Sequence, residues 1–140
     1  MEWMLMPYRR YADFSGRSRR MEYWMFRLFE FSVLIAGAIV ISVLAGGTGQ
    51  VAGDTAGGVM GSIGMLALVV FVLGSFIPGL AVTVRRLHDT GKSGWMLLLS
   101  FIPIIGPILM LIFLFTDGDR SANEYGPDPK ENGIDTEVFR

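Results

Sequence analysis

The chain has 140 residues, no cysteine and a single histidine, with 51% hydrophobic and 18% charged residues, a formal net charge of −1 and 18 glycines. This inventory excludes disulfides, iron–sulfur ligation, thiolate zinc sites and a histidine-rich metal centre. A mean hydropathy of +0.47 and the surplus of glycine both point to a membrane, where small residues let lipid-embedded helices approach closely.

Residues 9 to 24 interleave arginines with aromatics just ahead of the first apolar run. This is the pattern of a membrane interface: arginines among lipid phosphates, with Tyr23 and Trp24 at headgroup level. Residues 1–23 therefore read as a basic, aromatic interfacial segment. Ser18 is the predicted N-cap of a helix running inward from about Arg19. Arg20, Arg27 and Glu30, spaced by seven and three, share a face of that helix. Snorkelling accounts for Arg27. An acid as deep as Glu30 costs up to about 2.5 to 3.5 kcal/mol on insertion scales, so it is predicted to be shielded inside protein. Arg27 is its expected partner, with Arg85 or Arg86 as the alternative.

Three uncharged runs follow, Phe31 to Gly53, Thr55 to Val84 and Ser93 to Thr116. Each is long enough for the roughly 20 apolar residues that a bilayer crossing requires. The predicted spans are 24–46, 59–84 and 95–115, and the stretches between them are too short for a soluble domain. The first is read as a retained span, because almost thirty residues precede it where a signal peptide has a short basic stretch. Ala38, Ser42 and Gly46 mark a small-residue stripe for helix packing. The loop 46–58, with Asp54, reads as a plain connector.

Pro78 should kink the second span. The helix is expected to continue through Ala81–His88 and to stop at Thr90 and Gly91. Pro103, Gly106 and Pro107 interrupt the third run and leave two readings: one kinked crossing over 95–115, which is favoured, or a re-entrant hairpin that returns the polar, acidic tail 117–140 to the starting side. The predicted fold class is thus an all-α integral membrane bundle with three transmembrane segments, the third Pro-kinked or re-entrant.

Charge sets the orientation. Residues 1–23 and the loop 85–94 are each net +2, the loop 46–58 carries one acid, and the tail 117–140 is net −4. The positive-inside rule then places the N-terminus and the 85–94 loop in the cytoplasm. Arg17, Arg19, Arg20 and Glu22 should meet Arg85, Arg86, His88, Asp89 and Lys92 on that face. The set could hold a lipid phosphate, since guanidinium binds phosphate in bidentate fashion, or could consist of topology-setting charges paired by Glu22 and Asp89.

Other signatures fail on inspection. Thr90-Gly91-Lys92-Ser93 imitates the end of a phosphate-binding loop, but Arg86 stands where its first glycine belongs. The run Asp117, Asp119, Ser121, Asn123 imitates an EF-hand, but Ala122 and Asp128 replace the required Gly and Glu. His88 and Asp89 are neighbours that diverge by about 100° on a helix, and no Gly-x-Ser-x-Gly elbow occurs. No catalytic residue, cofactor or metal site is predicted.

Four motifs carry a resemblance: Phe14-Ser15-Gly16-Arg17 with Glu22-Tyr23-Trp24, Arg85 through Trp95, Ile102-Pro103-Ile104-Ile105-Gly106, and Asn123 through Pro129. In this order they resemble the YhaH-like family of small bacterial inner-membrane proteins, a domain of unknown function. The resemblance implies a multi-pass protein of the bacterial inner membrane and supplies no activity. The functional expectation is a non-catalytic accessory or assembly subunit. Its expected partners are membrane lipids and other integral membrane proteins or further copies of itself, and not nucleic acid. A small transporter or lipid-handling protein is the alternative, on the strength of the helix-breaking prolines and Glu30.

Overall fold

The computed structural model describes residues 2–46 and 55–130. Every named element among them is helical: α1 (Glu2–Arg9), α2 (Arg20–Gly46), α3 (Thr55–Asp89), a 3₁₀ helix η1 (Gly94–Phe101) and α4 (Ile105–Phe115). Most of the connector, with Asp54, and the tail beyond residue 130 lie outside the described residues.

The two long helices, α2 and α3, are long and apolar enough to cross a membrane. They pack antiparallel in sequence order through small-into-large contacts. A side-chain carbon on Gly37 would lie 2.5 Å from Leu68, and one on Gly64 would lie 2.7 Å from Ile41. The contact face of α2 is therefore Val33, Gly37 and Ile41, one residue before the expected stripe. Ala38 and Ser42 face outward, and the Ser42 hydroxyl bonds its own helix at Ala38 O. Elsewhere Phe31, Ile35, Ile39 and Val43 on α2 and Ile63, Leu66, Val70 and Leu73 on α3 are exposed. Helices apolar over most of their circumference require an apolar solvent.

The short helix α1 emerges from a segment read only as interfacial. Its anchorage depends on Pro78, which α3 accommodates as an internal residue. Proline has no N–H, so the carbonyl four residues earlier loses its helical partner. That carbonyl belongs to Gly74, and it accepts a hydrogen bond from the Tyr11 hydroxyl at 2.8 Å. Beside it, the Tyr8 and Ser75 hydroxyls lie 2.5 Å apart. Tyr8 also meets Phe26 edge-on, with ring centroids 5.3 Å apart. Tyr23, Phe26, Val82 and Leu114 form the buried apolar core, with Tyr8 and Trp24 packed on it.

The C-terminal end of α3 closes as its sequence suggests. Gly91 takes φ +66°, and the Lys92 and Gly91 amides bond Leu87 O and His88 O at 3.0 Å each, the pairing of a Schellman cap. Ser18 does not cap α2. Its amide bonds Arg85 O at 3.1 Å, and Arg19 supplies the first carbonyl of the helix, to the Tyr23 amide.

The favoured continuous crossing over 95–115 is not formed; the run doubles back. Ile104 has φ 68°, ψ −58°, and the Ile105 amide bonds Pro103 O at 2.8 Å, a γ-turn of the rare positive-φ kind. Proline at 103 and 107 withdraws two amide donors from a through-going helix, and Gly106 permits the return. A side-chain carbon on Gly106 would lie 2.0 Å from Leu99 O. Both ends of the run reach the end of α3: a side-chain carbon on Gly94 would lie 2.8 Å from Val84, and one on Gly118 would lie 2.0 Å from the Asp89 carboxylate. The tail through residue 130 consequently packs beside the N-terminal segment.

Candidate functional site

Four pieces of chain converge at this polar end: the loop and first turn of α2 (13–23), the last turns of α3, the end of α4, and the tail 117–130. Arg17, Arg19 and Arg86, all of the expected basic set, fasten these pieces, and a turn at residues 10–16 that the sequence reading did not single out positions the first of them. Asp13 accepts from the Ser15 amide at 3.0 Å and from Arg10 Nη2 at 2.6 Å. The Ser15 hydroxyl and Arg10 together hold the Asp13 carboxyl down at about 2, below the ordinary aspartate value. This turn, ending at Gly16 with φ +76°, aims Arg17 inward.

Arg17 is 6% exposed. Its Nε donates to Asp89 Oδ1 at 3.0 Å, Nη1 to Ser121 O at 2.7 Å, and Nη2 to Asp119 O. Asp89 Oδ2 accepts from Arg86 Nη1 at 2.5 Å, and Arg86 also donates to Leu114 O and Thr116 O. One carboxylate thus holds two buried guanidiniums, and each guanidinium fastens a different piece of the C-terminal chain. A buried ion pair repays its desolvation only when the remaining protons are also bonded, and here backbone carbonyls do that.

Arg85 is fully buried but differently partnered. Its Nη2 lies 3.3 Å from Glu22 Oε1, without the alignment of a hydrogen bond, and Glu22 Oε1 and both terminal nitrogens of Arg85 have no hydrogen-bond partner among the described residues. Arg19 donates to Pro129 O at 2.7 Å and lies over the Trp3 ring at 5.5 Å. Arg20 reaches Phe115 O and Asp117. His88 stacks on Tyr125, with centroids 3.8 Å apart, and its Nδ1 lies 3.2 Å from Gly16 O. Lys92 sits over Phe113 at 4.9 Å. The predicted charges therefore gather at one end, where Arg85, Arg86, His88 and Lys92 each have a separate neighbour.

Deeper along α2, Arg27 and Glu30 are in contact. Arg27 Nη1 donates to Glu30 Oε2 at 2.6 Å, and Nη2 donates to Gly79 O and Thr83 Oγ1. The Glu30 side chain is 13% exposed. Arg85 and Arg86, the alternative partners, are engaged elsewhere. The pair borders a cleft of about 320 Å³ between α2 and α3, lined also by Leu34, Phe71 and Phe76. No cluster of His, Asp and Glu with metal-holding geometry occurs among the described residues.

Sequence reading missed the contribution of the tail. The EF-hand-like acids serve as fasteners: Asp117 pairs with Arg20 and Lys130, and the Asp119 amide bonds Asp89 O at 2.8 Å. Asn123 donates to His88 O at 2.9 Å and closes a tight turn with Gly126. Asn-x-x-Gly-Pro is a legible turn signal, but nothing in it names the surface on which the turn docks.

A helical bundle with two long lipid-suited helices, closed at one end by buried arginine–carboxylate pairs, defines an all-α integral membrane protein. The chain belongs to the family described as "Protein of unknown function (DUF805)", which matches residues 11–127. It is 41% identical over 130 residues to "Inner membrane protein YhaI" of Escherichia coli strain K12, covering 93% of this chain and 97% of that one. It is 40% identical over 130 residues to "Inner membrane protein YhaH" of the same strain, covering 93% and 98%. No solved structure matches the chain. These relatives support an inner-membrane location for this protein.

Proposed function

We propose that the protein is a non-catalytic accessory or assembly subunit of the inner membrane, packing against other membrane proteins or further copies of itself, with its N-terminus cytoplasmic. One observation carries this reading: the buried charges at the polar end serve mainly to fasten the chain to itself, while the described outward faces of α2 and α3 present exposed apolar side chains such as Phe31, Ile39, Leu66 and Leu73. Arg17, Arg86 and Asp89 hold loop, helix and tail together, an arrangement suited to a fixed scaffold. The outward face of α2 carries Ala38 and Ser42 among larger apolar groups, a surface that a second helix can approach closely. Purification from the native membrane in mild detergent, followed by native mass determination, tests this reading. A stoichiometric partner chain or a defined oligomer is the expected result; a homogeneous monomer overturns it.

A transporter or lipid-handling role is the second reading. The Arg27–Glu30 pair at the wall of the α2–α3 cleft supports it, because ionisable groups at membrane depth mark substrate paths by default.

A further inference from the structure

A cavity of about 400 Å³ opens beside the turn from α3 into η1, away from the cleft of the Arg27–Glu30 pair. Phe14, Val84, Leu97, Leu98 and Trp95 supply its apolar walls, and His88 and Ser93 its polar side chains. Its size is that of a small-molecule site.

No Asp, Glu, Lys or Arg lines this cavity. A charged head seated there would leave water without a counter-ion, which is costly. The walls suit an apolar body instead, and the exposed aromatic rings of Phe14 and Trp95 are of the kind that sits at a membrane boundary.

His88 sets the directional requirement. Its Nδ1 lies 3.2 Å from Gly16 O. A carbonyl only accepts, so the neutral ring carries its proton on Nδ1 and leaves Nε2 as an acceptor. The Tyr125 ring, stacked at 3.8 Å, fixes the plane of the imidazole. Nε2 lies against the wall at Gly94, where a side-chain carbon would be 3.5 Å away. It has no hydrogen-bond partner among the described residues and, unlike the orphaned atoms of Glu22 and Arg85, is not sealed from the surface. Ser93 Oγ accepts from the Trp95 amide at 3.4 Å, which leaves its own proton available. An acceptor and a hydroxyl donor on one apolar wall match a group that both donates and accepts, namely a hydroxyl. A ketone or an ether cannot donate to Nε2. An ammonium can, but it brings a charge to a wall without an acid.

We propose that this cavity binds the uncharged, hydroxyl-bearing head of a membrane amphiphile, with the hydroxyl donating to His88 Nε2 and the apolar body lying along Leu97, Leu98 and Trp95. The free hydroxyl of a diacylglycerol and that of an alkyl hydroquinone share this chemistry. The proposal does not depend on the subunit reading.

His88 is the only histidine of the chain, so nitrogen-15 histidine labelling of full-length protein purified without a histidine tag gives a single imidazole spectrum. The protein is placed in phosphatidylcholine nanodiscs, whose lipids carry no hydroxyl, at about pH 8, above the ordinary histidine value. It is titrated with dioctanoylglycerol and, separately, with decyl hydroquinone kept reduced. A saturable shift of the Nε2 resonance, with Nδ1 little changed, is expected for at least one probe, and the tighter probe assigns the source. The O-methyl ether of that probe should bind roughly 3- to 10-fold more weakly, the contribution of one neutral hydrogen bond, and decyl phosphate should not displace it. His88→Phe, which keeps a ring for Tyr125 to stack on, should lose the same factor in calorimetry. If that variant fails to fold, the comparison of hydroxyl and ether in the parent protein decides. No saturable Nε2 shift with either probe, an ether that binds as tightly as its hydroxyl parent, displacement by decyl phosphate, or full affinity in folded His88→Phe overturns the proposal.

Discussion

Arg17 and Asp89 are 72 positions apart in sequence, yet Arg17 Nε donates to Asp89 Oδ1 at 3.0 Å with both side chains almost completely buried. Through Arg17 the same contact reaches the carbonyls of Ser121 and Gly126, so one guanidinium ties the N-terminal segment, the end of α3 and the tail into a single unit.

Removing one partner of such a pair strands a buried charge, which typically costs about 3–5 kcal/mol. Arg17→Ala and Asp89→Asn should each lower the thermal unfolding midpoint in detergent. Both should also release the tail, so that limited proteolysis cuts between 117 and 130 at a protease level the parent chain resists. Retained protection of the tail in a folded Arg17→Ala protein would show that Arg17 does not hold it.

The return of the hairpin depends on the missing side chain of Gly106. A carbon there would overlap Leu99 O, a backbone atom held by η1. Overpacking costs about 1–3 kcal/mol in ordinary cores, and Gly106→Ala should fall at or above the upper end of that range. Circular dichroism and thermal unfolding measure the effect; an unchanged midpoint would mean that η1 and α4 are free to separate.

Ile104 occupies a backbone region that a β-branched residue adopts only under strain. Strain of this kind costs about 1–3 kcal/mol, and glycine surrenders about 0.5–1 kcal/mol of it through extra freedom in the unfolded chain. Ile104→Gly should therefore stabilise the fold by about 1 kcal/mol, read as a rise in the unfolding midpoint. A fall would show that the exposed Ile104 side chain contributes more than the turn costs.

Membrane topology follows from the charge counts and the hairpin together. Reporter fusions after residue 52 should read periplasmic, and those after residues 90 and 130 should both read cytoplasmic. A periplasmic signal at 130 with a cytoplasmic one at 90 would require the run 95–115 to cross.

Asp13 gives a pH-dependent readout. Its folded value, about 2, lies below the ordinary 3.8 because the Ser15 hydroxyl and then Arg10 bond the ionised form. A depressed carboxyl contributes stability that is fully present above its unfolded value and is lost as pH falls through the folded one. The turn 10–16 should thus hold at pH 5 and loosen between about pH 4 and 2. Carboxyl carbon NMR of Asp13 should titrate near 2 in the parent chain and near 4 in Ser15→Ala/Arg10→Gln. The side chain is 36% exposed, so solvent screening keeps the effect on global stability small.

Sequence alone determined that the chain lives in a membrane, that its long elements are helices, and that α3 ends at Thr90-Gly91. Hydropathy over twenty residues and a glycine at a helix end are local properties, dictated by the solvent and by backbone sterics. It also put Arg27 one turn from Glu30, because helical spacing is fixed. Only the tertiary structure decided the rest. Pro103, Gly106 and Pro107 are compatible with a kink or a return, and the choice depends on whether η1 offers a surface that closely matches the backbone at Gly106. The lone Pro78 marks a weakened helix, but Tyr11, distant in sequence, is what satisfies the carbonyl it frees. From sequence the basic residues are either a lipid-phosphate grip or topology-setting charges paired by Glu22 and Asp89, because no local signal distinguishes a solvated arginine from a buried one. Arg85 is buried because Glu22 reaches it from α2, Arg17 because it meets Asp89 across 72 positions, and Arg86 because carbonyls at the end of α4 join its own-helix partner Asp89; long-range contacts of that kind are a property of the fold.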